Sequence, residues 1–599
     1  MKAKHAPNRL PQHRFPVDPW RLVETEYTTE DLGVTETVFA LGNGFIGMRA
    51  NAEEGREAHS HGTFLNGFHE TWRIAHAEAA YGFAEVGQTI VNVPDAKLIK
   101  LYVDDEPLLL ANADLESYER VLDFRTGILT RDLLWKTPAG KRVHVRSERM
   151  VSFEHRHLAV LTFEVTLLDD SAPIVISSQL LNRQDGEDEY HVKAAALGEG
   201  QDPRRARKFD HRVLEPQIQR HDGDDVVLGY RCTNSRMTVA AAYRHLFETA
   251  CEYTVETDVA EQLAKTVFTV DGQVGKTIRI EKLVSYHSST GVPASELADR
   301  CQRTLTRAAS TGTVGLYNEQ AAWLVDFWDR SDVQIEGDQP AQQAMRWNLF
   351  HLAQASARTQ EQGIAAKGVT ADGYEGHYFW DTEVYVVPFL AYTHPETARK
   401  VLRFRWKLLD AARKRARMLS QRGALFPWRT INGEEASAYY AAGTAQYHIN
   451  AAVAYAIKRY VDATNDWDFM AHEGAETLVE TARMWEDLGF YGNNGDNSFH
   501  IHGVTGPDEY TTVKNDNTYT NVMARFNMRF AAGVCRELRE RMPEAYEHLV
   551  RSTGVDEAEL EGFDRAADAM FIPYDETLGI NPQDDAFLSL EPWDFSKTP

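Results

Sequence analysis

Two hydrophobic periods divide the chain. Up to about residue 290, apolar positions recur at every second residue. Ile99, Leu101 and Val103 alternate with Lys100 and Tyr102; Leu161, Phe163, Val165 and Leu167 alternate with Thr162, Glu164 and Thr166. A period of two sends alternate side chains to opposite faces of a strand. The runs 174–180, 237–243 and 277–286 are strand-like in composition, and turn clusters such as Asp169-Asp170-Ser171 and Asp222-Gly223-Asp224-Asp225 separate the strands. Many short strands of this kind predict a large antiparallel sandwich over 1–292. The glycine-rich stretch Leu41 to Arg49 is expected to be a strand with close backbone approach, because it lacks the strand–GxGxxG–helix context of a dinucleotide site.

Near Pro293 the period lengthens. Residues 318–328 place apolar side chains at i, i+3 and i+4, which predicts a helical linker over 293–335. Beyond Pro340 helices are expected over 340–357, 379–392, 396–420, 446–463, 467–488, 518–540 and 556–571. Six or seven helices joined by long loops fit a helical toroid over 336–599, with the loops gathered into a pocket at one end.

Composition narrows the function. The chain has 599 residues, 43% hydrophobic, with a net charge of −25. That charge argues against nucleic acid or an anionic membrane as partner. The basic run Pro203 to Lys208 reads as a solvated loop. The four cysteines are widely spaced with no C-x-x-C, so a structural zinc is not expected and reduced buried thiols are. No apolar run approaches the ~20 residues needed to span a bilayer. The N-terminus has no apolar signal core. A cytoplasmic protein is the expectation.

Three loops carry the candidate chemistry. His502-Gly503-Val504-Thr505-Gly506-Pro507-Asp508-Glu509-Tyr510 joins two helical segments, and its glycines and proline mark a shaped loop. Asp516 or Thr518 is expected to cap the helix that follows. Glu509 is the candidate acid: it is longer than Asp508, and adjacent residues point apart. The rival reading is an ordinary acidic turn. Lys367 to Thr370 and Gly373 to Glu383 form a second loop that enters a helix at Trp380 and Asp381. An aromatic plate beside a carboxylate suits a sugar ring, although a capping Asp beside a core Trp is the rival. Asp381 and Glu383 cannot share a helix face. The third region carries Trp428, Glu434 and Glu435, then Gln446 and His448. No second histidine stands at ligand spacing around His448, so metal binding is rejected there. Aromatic and acidic residues on three helix-entry loops suggest glycosidic bond cleavage, which needs a protonated carboxyl and an opposing nucleophile.

The motifs GHYFWDTEVYVVPFL at 376–390, GALFPWRTINGEE at 423–435 and GVTGPDEYTTVKNDNTYTN at 503–521 closely resemble glycoside hydrolase family 65; GNGFIGMRA at 42–50 and FLNGFHETW at 64–72 fit as well. The resemblance covers essentially the whole chain. It implies an N-terminal β-super-sandwich, a helical linker and an (α/α)6 barrel. It also implies inverting phosphorolysis of an α-linked glucose disaccharide (maltose, trehalose or kojibiose type) to β-glucose 1-phosphate, with inorganic phosphate as co-substrate and no metal or cofactor. By that resemblance Glu509 is the general acid, Trp380 and Asp381 hold the glucose, and Lys367, Trp428, Glu434 and His448 lie in the substrate-binding regions. A homodimer is implied for the full-length family form. The family's barrel also implies further helices and an anion-binding set past the position of Pro599, so the chain is expected to be truncated, its barrel incomplete and its phosphorolytic activity low. The alternatives are an α-glucoside hydrolase of the acid trehalase type and a non-catalytic carbohydrate-binding fragment.

Overall fold

The computed structural model describes residues 10–597 apart from 56, 77–80, 184–211, 224, 361, 493–494, 496 and 511. The basic run at 203–208 lies outside the described residues. Three antiparallel sheets build the N-terminal part. The largest runs from Val17–Asp18 and Arg21–Glu24 through Asp114–Asp123, Ile128–Lys136, Arg142–Val151, Leu158–Leu167, Thr277–Ser289, Thr238–Thr249 and Asp225–Cys232 to Leu214–Asp222. A five-stranded sheet centred on Ala172–Leu181 packs against it, and the alternating strand residues Ile99, Leu101, Val103, Phe163, Val165 and Leu167 meet in the core between them. Polar neighbours point outward at the same period, so pattern and packing agree.

The third sheet faces the helical domain. It comprises Leu41–Gly42, Ile46–Met48, Thr63–Arg73 and Val86–Asn92. The expected close approach in the glycine-rich stretch is present: a Cβ on Gly47 would lie 1.8 Å from the carbonyl oxygen of Val369. Buried amides stitch the same seam. Asn66 Nδ2 donates to Gly363 O at 2.9 Å while its Oδ1 accepts from Tyr378 Oη at 2.8 Å. Gln88 Oε1 accepts from the backbone of Ile431 at 2.6 Å and Asn432 at 3.2 Å, and its Nε2 donates to Glu434 O at 3.1 Å.

The linker helix Ala294–Ser331 follows Pro293 and is interrupted at Gly312, whose φ of 74° breaks the helical run. Its first half packs on the large sheet through Leu297, Cys301 and Leu305. Gln339–Ser356 then opens the helical domain, capped by Asp338. The periodicity reading changes at three points here. The expected helix over 396–420 is two helices, Pro395–Lys407 and Leu409–Met418, that meet at Leu408, where φ is −84° and ψ flattens to −1°. A further helix, Pro543–Thr553, starts directly after Thr518–Arg541 behind Pro543. Neither Asp516 nor Thr518 caps Thr518–Arg541: Asn517 does, its side chain accepting from Thr520 N.

The helices share one large core that includes Leu390, Leu402, Ile457, Leu478, Met528 and Phe563. Large apolar side chains stay exposed toward the end of the chain, including Leu590, Trp593 and Phe595. All four cysteines are free and buried. Among the described residues no helix is long and apolar enough to cross a membrane.

The seam makes a direct prediction. Gly47→Ala forces its methyl group into the Val369 carbonyl, and overpacking of this kind costs about 1–3 kcal/mol or more. Denaturant unfolding is expected to show a lower midpoint for the variant at unchanged slope.

Candidate active site

Three loops of the helical domain meet at one end. The first enters at Gly373–Gly376, where Tyr374 (φ 51°), Glu375 (φ 56°) and Gly376 (φ 74°) are successively left-handed. Such geometry is strained for non-glycine residues, by about 1–3 kcal/mol each. It is held by Arg429, whose Nη2 donates to Glu375 Oε2 at 2.8 Å and also meets His377 Nδ1. The loop then delivers Phe379 and Trp380 in opposite directions. Phe379 meets Trp428 edge-on at 5.4 Å between centroids; Trp380 meets His448 edge-on at 4.9 Å. Tyr519 closes this aromatic group, 5.7 Å from His448 and 6.3 Å from Trp380.

Asp381 and Glu383 part as expected. Glu383 is buried and grips Arg405 with both carboxylate oxygens, at 2.6 and 3.0 Å, whereas Asp381 is exposed beside Trp380. Lys367 is exposed and lies over the Tyr374 ring at 5.2 Å. Glu434 turns to Lys414 at 3.4 Å, on the outer side of its loop. Its neighbour Glu435 is the buried one. Glu435 accepts from the backbone of Trp428 at 2.7 Å and Ser437 at 2.9 Å, and burial raises its carboxyl above the usual range.

The acid-bearing loop closes the site. Glu509 is exposed, with φ at 63°, and its Oε1 accepts from Gln446 Nε2 at 3.4 Å. Asp508 points elsewhere and accepts from Gln583 at 2.5 Å. Asp516 clamps the far end of the loop. Its Oδ2 pairs with His500 at 2.9 Å and His502 at 3.2 Å, and its Oδ1 accepts from Ile501 N at 3.3 Å and Asn521 Nδ2 at 3.0 Å. These three side chains bring ligand-type atoms within 4.8 Å of one another. Four hydrogen bonds already engage the carboxylate, so the cluster is explained as a clamp on the loop.

Gln446, which donates to Glu509, keeps a buried Oε1 with no partner among the described residues, as do both ring nitrogens of His448 and Nε1 of Trp428. Buried polar atoms are nearly always paired, so unpaired ones concentrated in the 428–448 segment are candidate partners for hydroxyl groups. Burial alone pushes the His448 imidazole down to about 4, so it is neutral near pH 7. Sequence reasoning had not singled out Tyr519, Arg429 or Glu375. Tyr519 shares with Trp380 and His448 a position at a helix entry on the loop end of the domain, and that shared position is the signal that could have found it.

A sandwich, a linker helix and a helical domain whose loops carry an exposed carboxylate, an aromatic group and unpaired buried polar atoms fit a carbohydrate-active enzyme. The family models make this specific. The glycosyl hydrolase family 65 N-terminal domain matches residues 22–327, and its central catalytic domain matches residues 346–598. The chain belongs to glycosyl hydrolase family 65. An alpha,alpha-trehalose phosphorylase of Thermoanaerobacter brockii is 38% identical over 98% of this chain and 75% of its own length. A kojibiose phosphorylase of the same organism is 30% identical over 93% of this chain and 71% of its own. A solved structure of a protein from the human microbiome, provisionally named a kojibiose phosphorylase, superposes with a TM-score of 0.87 at 24% identity, covering 98% of this chain and 75% of that one. The matches run along nearly the whole chain and span about three quarters of these relatives' own length.

Two predictions follow from this geometry. Glu383→Gln leaves the buried Arg405 guanidinium without its counter-charge, and breaking such a pair costs about 3–5 kcal/mol; calorimetry is expected to show a clear loss of Tm. The second concerns acid. An unfolded histidine titrates near ~6.5, whereas folded His448 titrates at about 4. Below the unfolded value the unfolded chain gains a proton that the folded chain refuses, so stability falls as pH drops from 6.5 toward 4. Between pH 7.5 and 5.5, the loss of denaturant stability is expected to be about 1 kcal/mol smaller in His448→Phe than in the parent.

Proposed function

We propose that the chain is an inverting disaccharide phosphorylase, a glycosyltransferase acting on an α-linked glucose disaccharide, with α,α-trehalose as the first substrate to try. The observation that supports the reading best is the Glu509 carboxyl bonded to Gln446 Nε2 at 3.4 Å, two residues before His448, whose buried ring nitrogens have no partner among the described residues. The choice of disaccharide leans on the 38% identity to a trehalose phosphorylase against 30% to a kojibiose phosphorylase.

In this reading the glucose ring lies against Trp380, with Asp381 and His448 taking its hydroxyls. Carboxylates accept hydroxyl hydrogens in charge-assisted bonds, and an indole face covers the apolar side of a pyranose. Glu509 donates its proton to the bridging oxygen as the bond from that oxygen to the anomeric carbon breaks. Inorganic phosphate attacks the same carbon from the opposite face, and the configuration inverts. The products are β-glucose 1-phosphate and the second sugar. Phosphate brings its own charge, so no second carboxylate is required as base, and no metal or cofactor enters the scheme. A cytoplasmic location and a homodimer belong to the same proposal; light scattering checks the latter.

The test is β-glucose 1-phosphate release from trehalose, maltose and kojibiose with and without phosphate. Glu509→Gln is expected to lower kcat by about 10²–10⁴-fold. Equal glucose release in the absence of phosphate would replace phosphorolysis with hydrolysis.

A further inference from the structure

The segment that follows the helix Glu557–Asp568 wraps the acid-bearing loop. It first runs beside the strand that leads into that loop: Phe499 N donates to Ala569 O at 2.7 Å, and Phe571 N donates to Phe499 O at 2.8 Å. It then turns back on itself. Asp575 N donates to Ile580 O at 2.9 Å, and Asn581 Nδ2 closes the turn on Pro573 O at 2.7 Å. The returning chain meets the far end of the loop, where the helix Thr518–Arg541 begins. Thr518 donates through its amide to Gln583 O at 2.9 Å and through its hydroxyl to Pro582 O at 2.5 Å, and Asn517 Nδ2 adds a bond to Gln583 O at 3.2 Å. Backbone oxygens accept all three of these bonds, so they make no use of the Gln583 side chain.

That side chain reaches the residue before the acid. Gln583 Nε2 donates to Asp508 Oδ2 at 2.5 Å. The reach matters because the acid stands on an exposed stretch: Asp508, Glu509 and Tyr510 all face solvent. Glu509 N donates to Gly506 O at 3.1 Å in a turn, and the Glu509 carboxylate takes the 3.4 Å bond from Gln446. Its φ of 63° is a conformation that a residue with a Cβ keeps when its surroundings impose it. Asp508 and Glu509 share one planar peptide, so a bond on the Asp508 side chain limits the rotations that aim Glu509. An amide donating to a carboxylate makes a stronger bond than a neutral pair does.

We propose that Gln583 is a positioning residue: through Asp508 it holds the 506–509 turn in the shape that presents the Glu509 carboxyl to the bridging oxygen. This rests on the reading of Glu509 as proton donor. It applies equally to phosphorolysis and hydrolysis, because both need that proton. In this role Gln583 requires no contact with sugar or phosphate. A misplaced proton donor slows the departure of a poor leaving group and leaves substrate binding alone.

The experiment measures kcat and KM on the disaccharide that the parent cleaves, for Gln583→Ala, Asp508→Ala and the double variant. Each single variant is expected to lower kcat by roughly 10–100-fold with KM within about twofold. The double variant is expected to be no slower than the slower single one, because the two side chains act as one unit. On an α-glucoside with a dinitrophenyl leaving group, which departs without a proton, all three are expected to keep the parent rate within about twofold. Equal losses on both substrates would show a general disturbance of the fold and overturn the proposal. Multiplying losses in the double variant, or an unchanged kcat in Gln583→Ala beside a slow Glu509→Gln, would overturn the positioning role alone. If the parent cleaves no disaccharide, or Glu509→Gln cleaves one at the parent rate, the proton-donor reading fails and the positioning role falls with it.

Discussion

Most of the candidate groups ride on loops, and a loop has no repeating hydrogen-bond ladder to hold its shape. The constraint that answers this is the seam between the β-domain and the helical domain. Gly47 lets the backbone of Val369 come to contact distance, Asn66 holds Gly363 and Tyr378, and Gln88 binds three successive points of the 431–434 segment. These amides are buried and fully engaged. Losing one would strand backbone groups that water cannot reach. The sandwich thus acts as a rigid wall against which the catalytic loops are cast.

With that wall in place, the helical domain tolerates local strain where it matters. Three consecutive left-handed residues at 374–376 and another at Glu509 lie next to the cleft, each pinned by partners on other elements. Asp516 shows what a satisfied carboxylate looks like: four hydrogen bonds and a structural task. His448 shows the opposite, a buried ring whose two nitrogens have no partner among the described residues. The contrast separates residues that build the loop from candidates for binding a ligand. It also explains why Glu435, deeply buried and bonded to its own loop, differs in role from exposed Glu509.

Much of the architecture was legible in the chain. Alternation of apolar residues sets strands because only one face of each is buried, and the longer period after Pro293 sets helices for the same reason. The breaks were less legible. Leu408 interrupts a run whose composition is uniformly helical, and Asn517 displaces Asp516 as cap because Asp516 is drawn away by His500 and His502. Both outcomes depend on partners distant in the sequence.

The site divides along the same line. Sequence alone singled out the three loops and, as candidates on them, Glu509, Trp380, Asp381 and His448, because glycine, proline and aromatic residues at helix entries mark shaped loops whatever surrounds them. Tertiary structure decided which way each side chain turned. It sent Glu383 to Arg405 and Glu434 to Lys414, and left Glu509 beside Gln446. It also brought Phe83 from the β-domain onto the ring of Tyr440, across hundreds of residues of chain. Local pattern encodes backbone shape; the direction of a side chain is settled by the charge, hydrogen bond or ring it meets, and those neighbours exist only once the chain has folded.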